Sequence, residues 1–158
     1  MFLQYFKKKE NKYKIIADNT YLNILSESKI FLKERFFLEK NFDSTFEIIS
    51  ILLIFHIKSY KNDEDVKNIF KQELINNLIN DKDLSIRDIG IGDMSISKYV
   101  KKYVKKFYYR VKVLDSILEN NNILEDLKKY LYSLSLIEHK KVHEISLKLL
   151  SIYKKLNR

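Results

Sequence analysis

Apolar residues recur every three or four positions through most of this 158-residue chain, and no stretch sustains the alternation of a half-buried strand. The pattern predicts an all-α protein, a single compact helical domain of about five to seven helices, with a basic segment over 1–18 and the helical domain over 19–158. A first helix is predicted over 19–32, where Tyr21, Leu22, Leu25, Ser28 and Leu32 share a face and Asp18 or Asn19 is the cap. A second, over 43–60, carries Phe46, Ile49, Leu52, Leu53 and Ile57 and is apolar on nearly every side, the mark of a central helix; Asp43 or Ser44 is its expected cap. After the polar break KNDE, a third is predicted over 65–80 with Val66, Phe70, Leu74 and Leu78 on one face. A fourth over 97–119 aligns Val100, Val104, Phe107, Val111 and Leu114. Beyond the asparagine run 120–122, Leu127, Leu131, Leu134, Leu147 and Leu150 mark one or two terminal helices.

The punctuation of this pattern is sparse. The chain has no proline, and its two glycines, Gly90 and Gly92, sit together in DIGIGDMS, 88–95. Glycine at such a place frees the backbone to turn. The segment fails as a phosphate-cradling loop, because no glycine precedes Lys98 and no strand leads into the turn. Gly90 and Gly92 are therefore read as a corner that ends one helix, with Asp93, Ser95 or Ser97 capping the next. A positive φ is expected at Gly92, so that Gly92→Val would disrupt the corner.

Composition narrows the function classes. Hydrophobic residues make up 46% of the chain, which separates it from disordered sequences. The longest apolar run, IISILLIFHI over 48–57, falls well short of the roughly 20 residues a membrane-spanning helix needs. There is no cysteine, which removes disulfides, thiolate nucleophiles and cysteine-ligated zinc from consideration. The opening MFLQYFKKK places its basic residues after its apolar ones, the reverse of a secretory signal, so a cytoplasmic protein is expected. A net charge of +9 favours an acidic partner: RNA, anionic lipid or an acidic protein.

That charge is concentrated on the fourth helix, where Lys98, Lys101, Lys102, Lys105, Lys106, Arg110 and Lys112 oppose the apolar stripe. Such a face is either simply solvated or a docking surface, and Tyr108 and Tyr109 are placed to stack on bases if the partner is RNA. His139 and His143 stand four apart, with Glu144 as a third candidate ligand, but Lys140 and Lys141 beside them repel a cation, so an exposed polar face is expected. His56 reads as a histidine at the core edge. Asp81, Asp83, Asp88 and Asp93 gather around the glycine turn without the spacing of a calcium loop, and are expected to pair with Arg87 or Arg110. No nucleophile, acid and base fall into a catalytic pattern, so the chain is not expected to be an enzyme.

The stretch DKDLSIRDIGIGDMSISKYVKKYVKKFYYR, 81–110, resembles the ubiquinol–cytochrome c chaperones, assembly factors of the cytochrome bc1 complex. The family pattern runs from an aspartate and an Arg-acidic pair through two glycines and an aspartate to a basic helix ending in Phe-Tyr-Gly-Arg. Asp83, Arg87, Asp88, Gly90, Gly92, Asp93, Phe107, Tyr108 and Arg110 occupy those places. NFDSTFEIISILL, 41–53, resembles the family's Arg-Phe-acidic helix, so the likeness covers roughly 40–115. Tyr109 stands where the family has glycine, Asn41 where arginine is usual and Ile48 at a position that is often histidine.

The resemblance implies an all-helical, non-catalytic chaperone without cofactor or metal, in the respiratory chain, that receives newly made cytochrome b or another bc1 component near ribosome and membrane. Partners then include ribosomal RNA, an anionic membrane surface and a small partner protein, with no DNA. The expected location is the cytoplasm, peripheral at the cytoplasmic face of the inner membrane, or the mitochondrial matrix in a eukaryote. Candidate partner-binding residues are Asp83, Arg87, Asp88, Asp93, Lys98, Lys101, Lys102, Lys105 and Arg110, with Gly90 and Gly92 as the structural turn. A basic RNA-binding or ribosome-associated helical protein is the rival reading, followed by a small enzyme using Arg87 and the aspartates.

Overall fold

Long runs of helix-forming residues unbroken by proline give long helices. The computed structural model describes residues 2–158, the side chains of 2–6, 9 and 10 excepted. It contains α1 (Phe2–Lys33), α2 (Phe42–Ser59), α3 (Glu64–Asp88), α4 (Asp93–Leu118), α5 (Ile123–Ser133) and α6 (Val142–Leu156), with a short 3-10 turn at His139–Lys141. The all-helical expectation is met, and among the described residues the one extended pairing is an isolated antiparallel bridge between Phe37 and Ile137.

Helix boundaries shift where local chemistry differs from the apolar pattern. α1 starts at Phe2, and Asp18 and Asn19 lie inside it instead of capping it. Asp18 accepts a hydrogen bond from Asn77 Nδ2 at 2.8 Å. α2 is capped by Asn41, whose Oδ1 accepts from Ser44 N at 3.0 Å while Ser44 Oγ accepts from Asn41 N at 3.0 Å. This reciprocal pair satisfies two backbone donors at once, the logic of a capping box. Asp63 caps α3 by accepting from Val66 N at 2.9 Å, and α3 runs on to Asp88, past the predicted end at Asn80. α4 opens at Asp93, so Ser95 and Ser97 lie within its first turns, and Ser95 N donates to Gly92 O at 2.8 Å.

The chain clusters into two packing units, and α1 and α4 contribute to each. The first comprises residues up to Asn23 with Tyr60–Tyr108. Its buried residues include Ala17 and Tyr21 of α1, Val66, Phe70, Leu74, Ile75, Leu78, Lys82 and Ile86 of α3, and Ile96 and Phe107 of α4. Tyr60 stacks on Phe70 at 3.9 Å between ring centroids, and the Tyr21 hydroxyl donates to Asp81 Oδ2 at 3.0 Å.

The second unit comprises Ile24–Ser59 and Tyr109–Arg158. Its centre is α2, buried without interruption from Phe46 to Phe55, as the all-round apolar pattern predicted. Each large side chain sealed there, such as Phe46 or Phe55, contributes about 1.5–3 kcal/mol by leaving water. α6 packs against both α2 and α5, and Tyr153 meets Phe55 at 5.1 Å. The connections after α1 and α5 pair through Leu38 N to Leu136 O, 2.9 Å, and Glu138 N to Phe36 O, 3.0 Å. Arg35 and Ser135, with φ of 57° and 55°, turn the chain into that pairing.

At the corner between α3 and α4 the left-handed residue is Gly90, with φ of 83°, and not Gly92 as the sequence reading supposed. Gly90 N donates to Arg87 O at 3.0 Å as α3 ends. A Cβ added at either glycine meets nothing within 4 Å, so conformation alone separates the two. Gly90→Ala should lower the unfolding free energy by about 1–2 kcal/mol, whereas Gly92→Ala should cost a few tenths. Denaturant unfolding of the two variants checks this, and equal losses would contradict it.

Candidate functional site

The expected cluster at the corner forms in part. Arg87 Nε donates to Asp83 Oδ2 at 2.8 Å, one turn back along α3, and Arg87 Nη1 donates to Asp93 Oδ1 at 2.6 Å in the first turn of α4. One guanidinium thus ties the two sides of the glycine turn together. Its hydrogen bond to Asp83 is the largest influence holding the Arg87 charge further above its ordinary range. Asp93 also sits at a helix N-terminus, where a carboxylate is favoured by the backbone dipoles. Asp88 is exposed and makes no ion pair to a described residue, and Asp81 belongs to Tyr21 and Lys82 instead, at 3.0 and 3.3 Å.

The basic face of α4 is present. Met94, Ser97, Lys98, Lys101, Lys102 and Lys105 line one shallow, open depression along the helix. None of these four lysines pairs with a described carboxylate. Lys106 lies over the Tyr103 ring, 5.4 Å from its centroid, and so belongs to the side of the helix and not to this depression.

Arg110 departs from the expected pairing with the aspartates of the corner. Its Nε and Nη2 form a two-pronged ion pair with Glu47 Oε2 and Oε1 of α2, at 2.8 and 2.5 Å, within the second unit. Glu47 is 1% exposed and the Arg110 side chain 11%. The Tyr130 hydroxyl approaches Glu47 Oε2 at 3.5 Å, and the Tyr109 and Tyr130 rings lie 5.5 and 5.9 Å from the guanidinium. Hydrogen bonding to Glu47 is the largest influence raising the Arg110 pKa, while burial foremost, then the Glu47 charge, pushes the Tyr130 hydroxyl far above its usual value. Sequence reasoning missed Glu47 as a partner, because a lone acid in an apolar helix has no periodicity to mark it. The one available signal was its position on a helix apolar all round, where an unpaired carboxylate is too costly to stand alone.

The remaining candidates separate. His139 and His143 line a second shallow depression with Lys128, Lys129 and Tyr132, and the Tyr132 and His139 rings meet at 4.4 Å, tilted by 35°. Glu144, the third candidate ligand, pairs with Lys141 at 3.1 Å. Among the described residues no three histidine or carboxylate groups gather as a metal would require. His56 is part-buried with its Nε2 unpartnered, and burial lowers its pKa. No helix among the described residues is long and apolar enough to cross a membrane.

An all-helical chain with an acid-flanked glycine corner, a lysine face and a buried Glu–Arg lock is the class of protein these features define. The chain belongs to the ubiquinol–cytochrome c chaperone family, whose model matches residues 34–145 and so takes in both Glu47 and Arg110. The crystal structure of the Cbp3 homolog from Brucella abortus is similar with a TM-score of 0.80, at 23% identity, over 100% of this chain and 89% of that one. At that identity the likeness is one of fold. No curated protein matches the chain.

Two outcomes follow from the lock and its surroundings. Arg110→Ala leaves Glu47 buried and unpaired and should destabilise the protein by about 3–5 kcal/mol, while Glu47→Met combined with Arg110→Met should recover most of that loss; chemical denaturation of the set measures it. Stability should also fall on both sides of neutrality. The buried phenols of Tyr21 and Tyr130 keep their protons when folded but lose them above about pH 10 when unfolded, so stability declines as pH rises past that point. His56 has the opposite limb: neutral when folded, it takes a proton below about pH 6.5 when unfolded, so stability declines as pH falls. Melting temperatures across pH should show both limbs, with Tyr130→Phe flattening the alkaline one.

Proposed function

We propose that this chain is a non-catalytic assembly chaperone for ubiquinol–cytochrome c reductase, receiving newly made cytochrome b close to the ribosome and the inner membrane. The observation that carries the reading is family membership over 34–145, a span holding both segments that meet at the Glu47–Arg110 pair. The chaperone domain is taken as 19–158, with the basic segment 1–18 ahead of it.

The described surfaces suit a holding role. An exposed row of unpaired lysines attracts a polyanion or an acidic protein without committing to one sequence. Ile15 and Leu22, seven residues apart and hence on one face of α1, are both exposed, which suits an apolar helix of a membrane-protein client. The Arg87 clasp holds Asp83 and Asp93 at the corner, so acidic and basic groups are presented from adjoining helix ends. Candidate contacts to client, ribosome or a small partner protein are Asp83, Arg87, Asp88, Asp93 and the lysines at 98, 101, 102 and 105. Arg110 acts from beneath the surface, as a positioning residue.

Deleting the gene in its native host should reduce haem-loaded cytochrome b and reductase activity together, as read by difference spectra and quinol oxidation. Normal cytochrome b and normal activity would sink the proposal. Tight binding to many RNAs, indifferent to cytochrome b, would favour the RNA-binding reading instead.

A further inference from the structure

The depression on α4 is not uniformly charged. At its N-terminal end stands Met94, 99% exposed, on the same helical face as Lys98, Lys101, Lys102 and Lys105. Ile89, five residues earlier at the end of α3, is also well exposed. An apolar tip beside a row of lysines about 11 Å long combines two different attractions in one surface. Phosphates of RNA satisfy the lysines but offer nothing to the methionine. A bilayer with anionic headgroups satisfies both, since the lysines meet the headgroup charge and the apolar tip enters the acyl boundary.

One further observation separates these partners. Tyr108 and Tyr109 are 49% and 59% exposed but lie outside the depression. Base stacking beside bound phosphates needs an aromatic face at the lysine row itself. The depression itself is lined by no aromatic residue. From this geometry we infer that the α3–α4 corner is a peripheral membrane-docking tip for anionic phospholipid, in which Met94 and Ile89 enter the interface and Lys98, Lys101, Lys102 and Lys105 hold headgroups. The corner is braced for that task, because the Arg87 clasp to Asp83 and Asp93 joins the two helix ends that bear the apolar residues.

The inference rests on the reading of this lysine face as a partner surface, and it is independent of the client. The full chain is tested against vesicles of equal parts phosphatidylcholine and phosphatidylglycerol, against phosphatidylcholine vesicles, and against a mixed-sequence single-stranded RNA. Binding to the anionic vesicles should exceed binding to the neutral ones by at least tenfold and weaken as salt is raised. Lys101→Ala with Lys105→Ala should lower vesicle affinity about twentyfold. Met94→Asn leaves the charge unchanged, and it should lower vesicle affinity about fivefold while leaving RNA affinity as it was. Met94→Leu should restore it. All of these side chains are exposed, and circular dichroism of each variant checks that it folds. Equal binding to neutral and anionic vesicles, indifference to Met94→Asn, or tighter binding to RNA than to anionic vesicles would each overturn the inference. Vesicle binding alongside normal cytochrome b in the deletion strain would refute the chaperone reading alone, and absent vesicle binding alongside lost cytochrome b would refute the membrane inference alone.

Discussion

A carboxylate sealed inside a helix that is apolar on every side has to be neutralised, and Glu47 on α2 is neutralised by Arg110. The guanidinium is suited to that burial, since its planar fork matches both carboxylate oxygens and its charge persists at any biological pH. Around the pair, the rings of Tyr109 and Tyr130 supply apolar bulk without leaving the cation exposed to a bare hydrocarbon surface.

Other residues near the pair have a legible physical role. Tyr109 lays its ring against the guanidinium and so joins the lock. Asn41 closes the start of α2 by exchanging hydrogen bonds with Ser44. Ile48 is fully buried beside Glu47 in the chain and keeps that stretch of α2 dry.

The helical class, the central position of α2 and the glycine corner were legible in the residues because each rests on a local signal: apolar period, all-round hydrophobicity, or a break in propensity. So was the clasp of Arg87 on Asp83, which needs only the spacing of one helical turn. What the chain order concealed was set by distant neighbours. Asp18 resembled a cap until Asn77 took its carboxylate, and the choice of Gly90 over Gly92 for positive φ depends on how α3 ends rather than on either residue. α1 likewise extends far ahead of its predicted start, through a polar stretch whose periodicity is weak. The lysine face was visible as a count of charges; its exposed methionine tip required three dimensions.

The two connections of the second unit are built alike: a helix ends, a non-glycine residue turns left-handed, and two residues later the chain enters the bridge. In a sequence with so few glycines, Arg35 and Ser135 accept a conformation that costs on the order of 1–2 kcal/mol each. Neither turn gains its compensating hydrogen bonds until the other is in place, and the partners lie about 100 residues apart along the chain. Closing so long a loop costs chain entropy, so the bridge depends on the packing of the helices that carry its two sides. The Phe37–Ile137 contact is thus a latch: it ties together, within the second unit, two segments that the chain order keeps far apart.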